Sequence, residues 1–494
     1  MQKAQSFEDK LVITYTCIRS LLTASYLGEA LTKGLYVLNE LGIVLSGDLE
    51  ALLIETKSML AEYSDEQLLS LPVMTDQTKL MAMKLLSRTQ TCLHYTNPKS
   101  QPKATLHMIQ YSLRHGVSGL SSVGFVTYGS YLACFGDIPT GYRYVKVAIK
   151  LAEKLNARSS MSEVILVGSQ VMGYVEPLQS VTDVMVRGHE YALAEGSTSN
   201  AMFILLTNIV CAYWSGKQLS LVKSTVDDTL CLMSSHSTLV WIWQTLPLYR
   251  SILAMIGNVE DVPTILGSRS DIETEKERKM SETNLYLLKV VHFNKLYVGF
   301  MFRRYDEVKQ LAVAYDAIAS LPFSTMSISH CMHVLYGGLI NFWISRKTMD
   351  VDWFDRGEKA IEKMRSYAQC SSWNFENKLL LLQAEQCYCE EDYESAKCSY
   401  DAAILSAKMH KFVHEEALAC ELAGHFMLET GEGSVSLPYF LMAENKYYEW
   451  GAHAKGESVN SFIRKQFMNA ETTLEPDIST NTPAEPDPRK RRAS

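Results

Sequence analysis

"QAEQCYCEEDYESAKCSYDAAILSAK", residues 383–408, decides how this chain folds. Moved forward by 40 positions it meets itself: Ala396 falls on Ser436, Tyr400 on Phe440 and Ala403 on Ala443, with Ala384 near Ala423. The order is small residue, turn, small residue, aromatic, small residue. Small side chains let two helices approach closely, and the aromatic fills the gap to the next pair. The same step recurs upstream, where Gly141, Val145, Ala148 and Ala152 precede Val181, Met185, Gly188 and Ala192 by 40 residues. Further on, "AYWSGKQLSLVKSTVDDTL" at 212–230 carries "SGK" where "FGD" stands at 135–137, and "LYVGFMFRRYDEVKQLAVAYDAI" at 296–318 repeats the turn. Several self-matches at one period predict a repeat protein.

Apolar spacing makes the repeats helical. Leu11, Tyr15, Ile18, Leu22 and Tyr26 share one helix face, and Leu31, Leu35, Leu38 and Leu41 another, with "LGE" at 27–29 as the break. β-Branched residues fall at period three to four, so no strand is expected. The predicted fold is all-α: a tetratricopeptide-like helix-pair solenoid over residues 1–468, winding as a right-handed superhelix of about nine or ten pairs. Its period is nearer 40 than the standard 34 residues, so its helices should be longer than usual. "NPKSQPK" at 97–103 reads as a surface loop, and the charge run at 267–282 as an inner break. Residues 469–494 are polar and proline-rich, as a disordered tail would be.

Bulk composition agrees and excludes some classes. Only 13 prolines occur in 494 residues, as long helical runs require. The net charge is −8 and no broad basic stretch lies in the body, which argues against nucleic-acid binding. No apolar run approaches the roughly 18 residues of a membrane helix, and the N-terminus lacks signal-peptide order. Eleven scattered cysteines suit buried thiols in a reducing compartment, so a cytoplasmic protein is expected. The basic end, Arg489 to Arg492 before Ser494, leaves a nuclear address or a kinase acceptor open.

Several segments approach catalytic motifs without reaching them. "HKFVHEEALACELAGHFMLETGEG" at 410–433 places His410 and His414 four apart, followed by Glu415 and Glu416. A zinc-protease helix needs a second histidine at 418, which is Leu418, and the inverted motif needs glutamate at 413, which is Val413. Two histidines do not make a metal site, so the segment reads as a repeat helix with Ala423 and Phe426 packed and its glutamates facing water. "HCMH" at 330–333 offers His330, Cys331 and His333 but no second ligand pair, and Cys387 and Cys389 point apart on a helix. "GVSGLSSVGFVTYGS" at 116–130 misses the nucleophile-elbow spacing, and "SGKQ" at 215–218 misses the phosphate-loop hydroxyl. Its glycines fit close helix packing, with Gly129 and Ala133 on one face. No catalytic, cofactor or metal residue is assigned.

Together, "NELGIVLSGD" at 39–48, "LPVMTDQTKLMAMKLL" at 71–86, "YGSYLACFGDIPTGYRYVKVAIKLAEKL" at 128–155, "NFENKLLLLQAE" at 374–385 and "LPYFLMAENKYYEWGAHAK" at 437–455 resemble a known family. The resemblance is to the tetratricopeptide-like region of large multidomain signalling proteins. There a Ser/Thr kinase and an AAA-type ATPase precede the array, and GAF and histidine-kinase modules often follow. Maltose-regulator-type activators share a related arrangement. The resemblance covers roughly residues 10–465, and any kinase or ATPase is expected upstream of them. It implies a signalling context and carries no catalytic residue into this chain. The expected function is a non-enzymatic interaction and regulatory scaffold. Its protein partners, possibly kinase or ATPase domains, would lie along the concave face, with some of the 26 tyrosines as anchors. The alternatives are a fragment or split subunit of an ATP-dependent signalling kinase, and a metal-dependent hydrolase using His410 or His414.

Overall fold

A computed structural model describes residues 7–23, 26–235, 239–257, 284–319 and 327–468. The described chain is an all-α solenoid of consecutively packed helix pairs. Among the described residues there is no strand; one isolated bridge joins Val73 to Val117. No helix among them is long and apolar enough to cross a membrane. The predicted break at 267–282 and the tail at 469–494, with Arg489–Arg492 and Ser494, lie outside the described residues.

The unit of construction is a three-residue turn. Left-handed backbone recurs twenty residues apart, at Gly136 and Asn156, at Gly196 and Gly216, and at Glu391, Lys411, Gly431 and Gly451. Each such residue ends one helix. Its successor then donates an N–H back to the carbonyl five positions earlier: Asp137 to Leu132 (3.0 Å), Ala157 to Ala152 (2.9 Å), Phe412 to Ala407 (2.9 Å), Ala452 to Tyr447 (2.8 Å). This closes the helix on its own orphan carbonyls. The "FGD" and "SGK" turns are two instances, with glycine where φ is positive. Between turns run helices of 17 residues, such as Ile138–Lys154, Thr198–Trp214, Tyr393–Met409 and Val413–Glu429. Two helices and two turns fill the forty-residue period, which is why these helices exceed the usual length.

Packing follows the small-residue pattern. A Cβ on Gly129 would stand 2.4 Å from the Gly141 carbonyl, and one on Gly141 would stand 3.1 Å from the Ala133 Cβ. The Gly119–Cys134 and Ile138–Lys154 helices therefore touch backbone to backbone. Every self-matching position named above is buried, from Gly141 and Val181 to Tyr400 and Phe440.

Some local expectations need correction. Tyr26 and Leu35 are exposed; the Leu27–Glu40 helix buries Ala30, Gly34, Val37 and Leu38 instead, and "LGE" opens that helix. One residue of rotation separates Leu35 from Gly34, where a Cβ would stand 2.7 Å from the Thr89 Oγ1, so the close approach favours glycine. The loop at 97–103 is shorter than expected, because Pro102 stands in the first turn of the Gln101–His115 helix, where its missing N–H has no helical partner to lose.

The superhelix winds tightly enough for successive turns to touch. The Leu178 N–H donates to Asn374 Oδ1 (3.0 Å), and Asn374 Nδ2 donates to the carbonyls of Gly173 (3.1 Å) and Glu176 (2.7 Å). Trp373 Nε1 donates to Gln179 Oε1 (3.2 Å), and Trp450 Nε1 to the Lys217 carbonyl (3.1 Å). These partners lie 194 to 233 residues apart, about five repeats. One superhelical turn thus takes about five pairs, and its interior is occupied rather than open along this stretch.

Candidate functional site

The inner face is built where those turns meet. Tyr213 and Trp214 end one helix, Tyr297 and Tyr336 come from two others, and Trp450 closes from the next turn; all are buried. The Tyr213 and Tyr297 hydroxyls share a 2.8 Å hydrogen bond. Many tyrosines are core, and Tyr26, Tyr36, Tyr286 and Tyr393 are the clearly exposed ones among the described residues.

Ion pairs stitch the inner helices together. Lys378 Nζ reaches Glu415 Oε2 and the Asn374 carbonyl, both at 2.7 Å, and lies 4.1 Å above the Phe412 ring. Asn377 Nδ2 donates to the same carboxylate oxygen. Six residues beyond Glu415 on the same helix, Lys455 Nζ meets Glu421 Oε1 at 2.6 Å, while the Tyr447 hydroxyl donates to Glu421 Oε2 at 2.7 Å. Arg346 pairs with Glu385 at 2.6 Å. Burial lowers the Lys455 ammonium's proton affinity, and Glu421 works against that. The expectation that the glutamates of Val413–Glu429 face water is therefore wrong: Glu415, Glu416 and Glu421 are all buried. Their helix is packed on both flanks, so lysines on neighbouring helices replace solvent as their partners.

His410 and His414 do not share a helix. His410 caps Tyr393–Met409, Lys411 turns left-handed, and the next helix begins at Val413. His410 packs on Trp373 with ring centroids 4.8 Å apart. His414 faces Trp450 at 5.1 Å, with its Nε2 3.6 Å from Glu415 Oε1. Burial pushes the His414 imidazole down to about 4, with Lys378 adding to the fall and Glu415 opposing it. At neutral pH it is an uncharged core ring.

The remaining motifs also fall into packing. His333 stacks on Phe293 at 3.7 Å and bonds the Tyr315 hydroxyl; burial drives its neighbour His330 down to about 3. Cys331 is buried near Met364. Cys389 Sγ lies 3.5 Å from the Phe342 carbonyl. In the 116–130 segment, Ser118 and Ser121 form a capping box that starts the Gly119–Cys134 helix. Among the described residues no three His, Cys, Asp or Glu side chains gather at metal-binding distances.

The inner space left over is a chamber of about 80 Å³, lined by Gln170, Phe203, Thr207, Gln244 and Asn294. That is room for a few waters and far below an ordinary ligand cavity. Elsewhere, on Phe7–Thr23, Val12, Ile13, Thr16, Cys17, Arg19 and Ser20 are exposed, and Leu35 and Tyr36 are exposed on Leu27–Glu40. No protein-family model matches the chain, and no curated protein matches it.

Proposed function

We propose that the chain is a non-enzymatic protein-interaction and regulatory scaffold, serving as the helical array of a signalling assembly that contains kinase or ATPase domains. The exposed apolar residues of the first helix pair carry this reading. Val12, Ile13, Leu35 and Tyr36 are 52, 41, 37 and 67% exposed, and no charged residue occurs from Leu11 to Ile18. An exposed apolar surface rimmed by charges, such as the Lys33–Glu29 pair at 3.5 Å, suits a protein partner.

The test is affinity capture from native lysate with the wild-type chain beside an Ile13→Asp/Tyr36→Asp variant. The expected result is a protein bearing kinase or AAA-type ATPase domains, recovered by the wild type and lost by the variant. Repeated failure to recover any partner, or an identical set from both chains, counts against the scaffold. A partner encoded on a separate chain makes this protein the split subunit of such a kinase.

A further inference from the structure

A second feature lies between the helices Leu285–Met301, Tyr305–Ala319, Ile328–Thr348 and Val351–Ala368. They enclose an open groove of about 270 Å³. We infer that this groove binds a small phosphorylated molecule, a ligand carrying about two negative charges.

The charges on Val351–Ala368 are sorted by face. Arg356, Lys359 and Lys363 recur at i, i+3 and i+7, so they share one side of the helix, and all three line the groove. Asp355, Glu358 and Glu362 have the same spacing one residue earlier, which turns them about 100° away. Glu358 accepts from Gln386 Nε2 at 3.2 Å, on the neighbouring Ser372–Cys389 helix, so the acidic row faces elsewhere. Among the described residues the only acidic one lining the groove is Asp316, which holds Arg356 at 3.2 Å while the guanidinium lies 4.6 Å over the Trp353 ring. Lys359 and Lys363 make no ion pair among the described residues, and the Lys363 ammonium lies 5.2 Å over the Tyr367 ring. Three cations against one carboxylate leave two positive charges, and a positioned guanidinium beside two ammonium groups is the donor set that phosphate oxygens take.

Gly337 is the independent observation. It lies near the middle of the 21-residue Ile328–Thr348 helix, where glycine is less stable than alanine. Other glycines inside these helices have a packing reason: a Cβ on Gly338 would meet Leu382 at 2.6 Å, and one on Gly357 would meet Phe342 at 2.5 Å. Among the described residues a Cβ on Gly337 would meet nothing within 4 Å, and the residue lines the groove. No packing contact among them calls for this glycine; the groove gains floor space. Asn341, one turn on, adds an amide to the same wall.

Isothermal titration calorimetry of the full chain with inorganic pyrophosphate tests the assignment. One site per chain is expected, with affinity about ten-fold weaker in Lys359→Gln/Lys363→Gln and in Gly337→Leu. Gly337→Ala should melt at or above the wild-type temperature, because no contact opposes the added methyl. Absence of binding, unchanged binding in the lysine variant, or tighter binding of citrate than of pyrophosphate overturns the inference. So does a lower melting temperature for Gly337→Ala. The inference stands apart from the docking face, since neither experiment involves the other's residues.

Discussion

Replacing Lys378 by methionine keeps the aliphatic stem and removes only the ammonium. The wild-type group is 2% exposed, as is its partner Glu415. Methionine fills nearly the same volume, so the cavity contribution is small. What remains is Glu415 without its cation: Asn377 still donates to it, and His414 stands 3.6 Å away as a neutral ring at pH 7. Breaking a buried pair from one side costs about 3–5 kcal/mol, because the surviving charge stays desolvated. Removing both charges in Lys378→Met/Glu415→Gln should restore stability to within about 1–2 kcal/mol of wild type, since the glutamine oxygen still accepts from Asn377. Urea unfolding followed by circular dichroism gives the midpoints, and hydrogen exchange over 372–429 places the loss. A single variant within about 1 kcal/mol of wild type would refute the reasoning, as would a double variant no better than the single.

Three other outcomes follow from the same packing. Burial holds His414 near 4 and His330 near 3 against an ordinary value of 6.5, so the folded chain binds fewer protons than the unfolded one between those limits. Stability is therefore full above about pH 7 and falls as the pH drops through 6.5 toward 4, by up to roughly 3 kcal/mol from His414 alone; equal urea midpoints at pH 7 and 5 would contradict this. Gly129→Ala should lose about 1–3 kcal/mol because the methyl meets the Gly141 carbonyl, whereas Gly337→Ala should gain roughly 0.5–1 kcal/mol, a difference in sign readable from two melting curves. Trp450→Ala should cost about 3–5 kcal/mol and open the 215–218 turn to limited proteolysis, since the indole both fills the interior and holds the Lys217 carbonyl.

The repeat was legible because it is local. Tyr400 and Phe440, or Ala148 and Gly188, occupy equivalent places in their own helix pairs, and equivalence survives as spacing. The twenty-residue half-period was harder to see. Glycine marks the turns at 136 and 216, but Asn156, Glu391 and Lys411 take the same left-handed backbone with ordinary side chains. Contacts between superhelical turns left no periodic trace: Leu178 with Asn374 and Lys217 with Trp450 join residues from non-adjacent repeats. That silence explains the misreading of 413–429. Its glutamates look solvated within their own segment, and the lysines that bury them, Lys378 and Lys455, sit on other helices. The groove was hidden for the opposite reason. The sequence of Val351–Ala368 displays alternating charges, and only its neighbours reveal which row faces inward.

Cys17 gives the most direct measurement of the central claim, that the first helix pair is a docking face. Its thiol is exposed beside Val12 and Ile13, while Cys134, Cys231 and Cys398 are exposed elsewhere on the array. Brief iodoacetamide labelling, read residue by residue by mass spectrometry, compares the purified chain with the chain in native lysate. The account predicts that all four cysteines label in the purified protein and that Cys17 alone is protected in the lysate. Equal labelling of Cys17, Cys134, Cys231 and Cys398 in the lysate would contradict it.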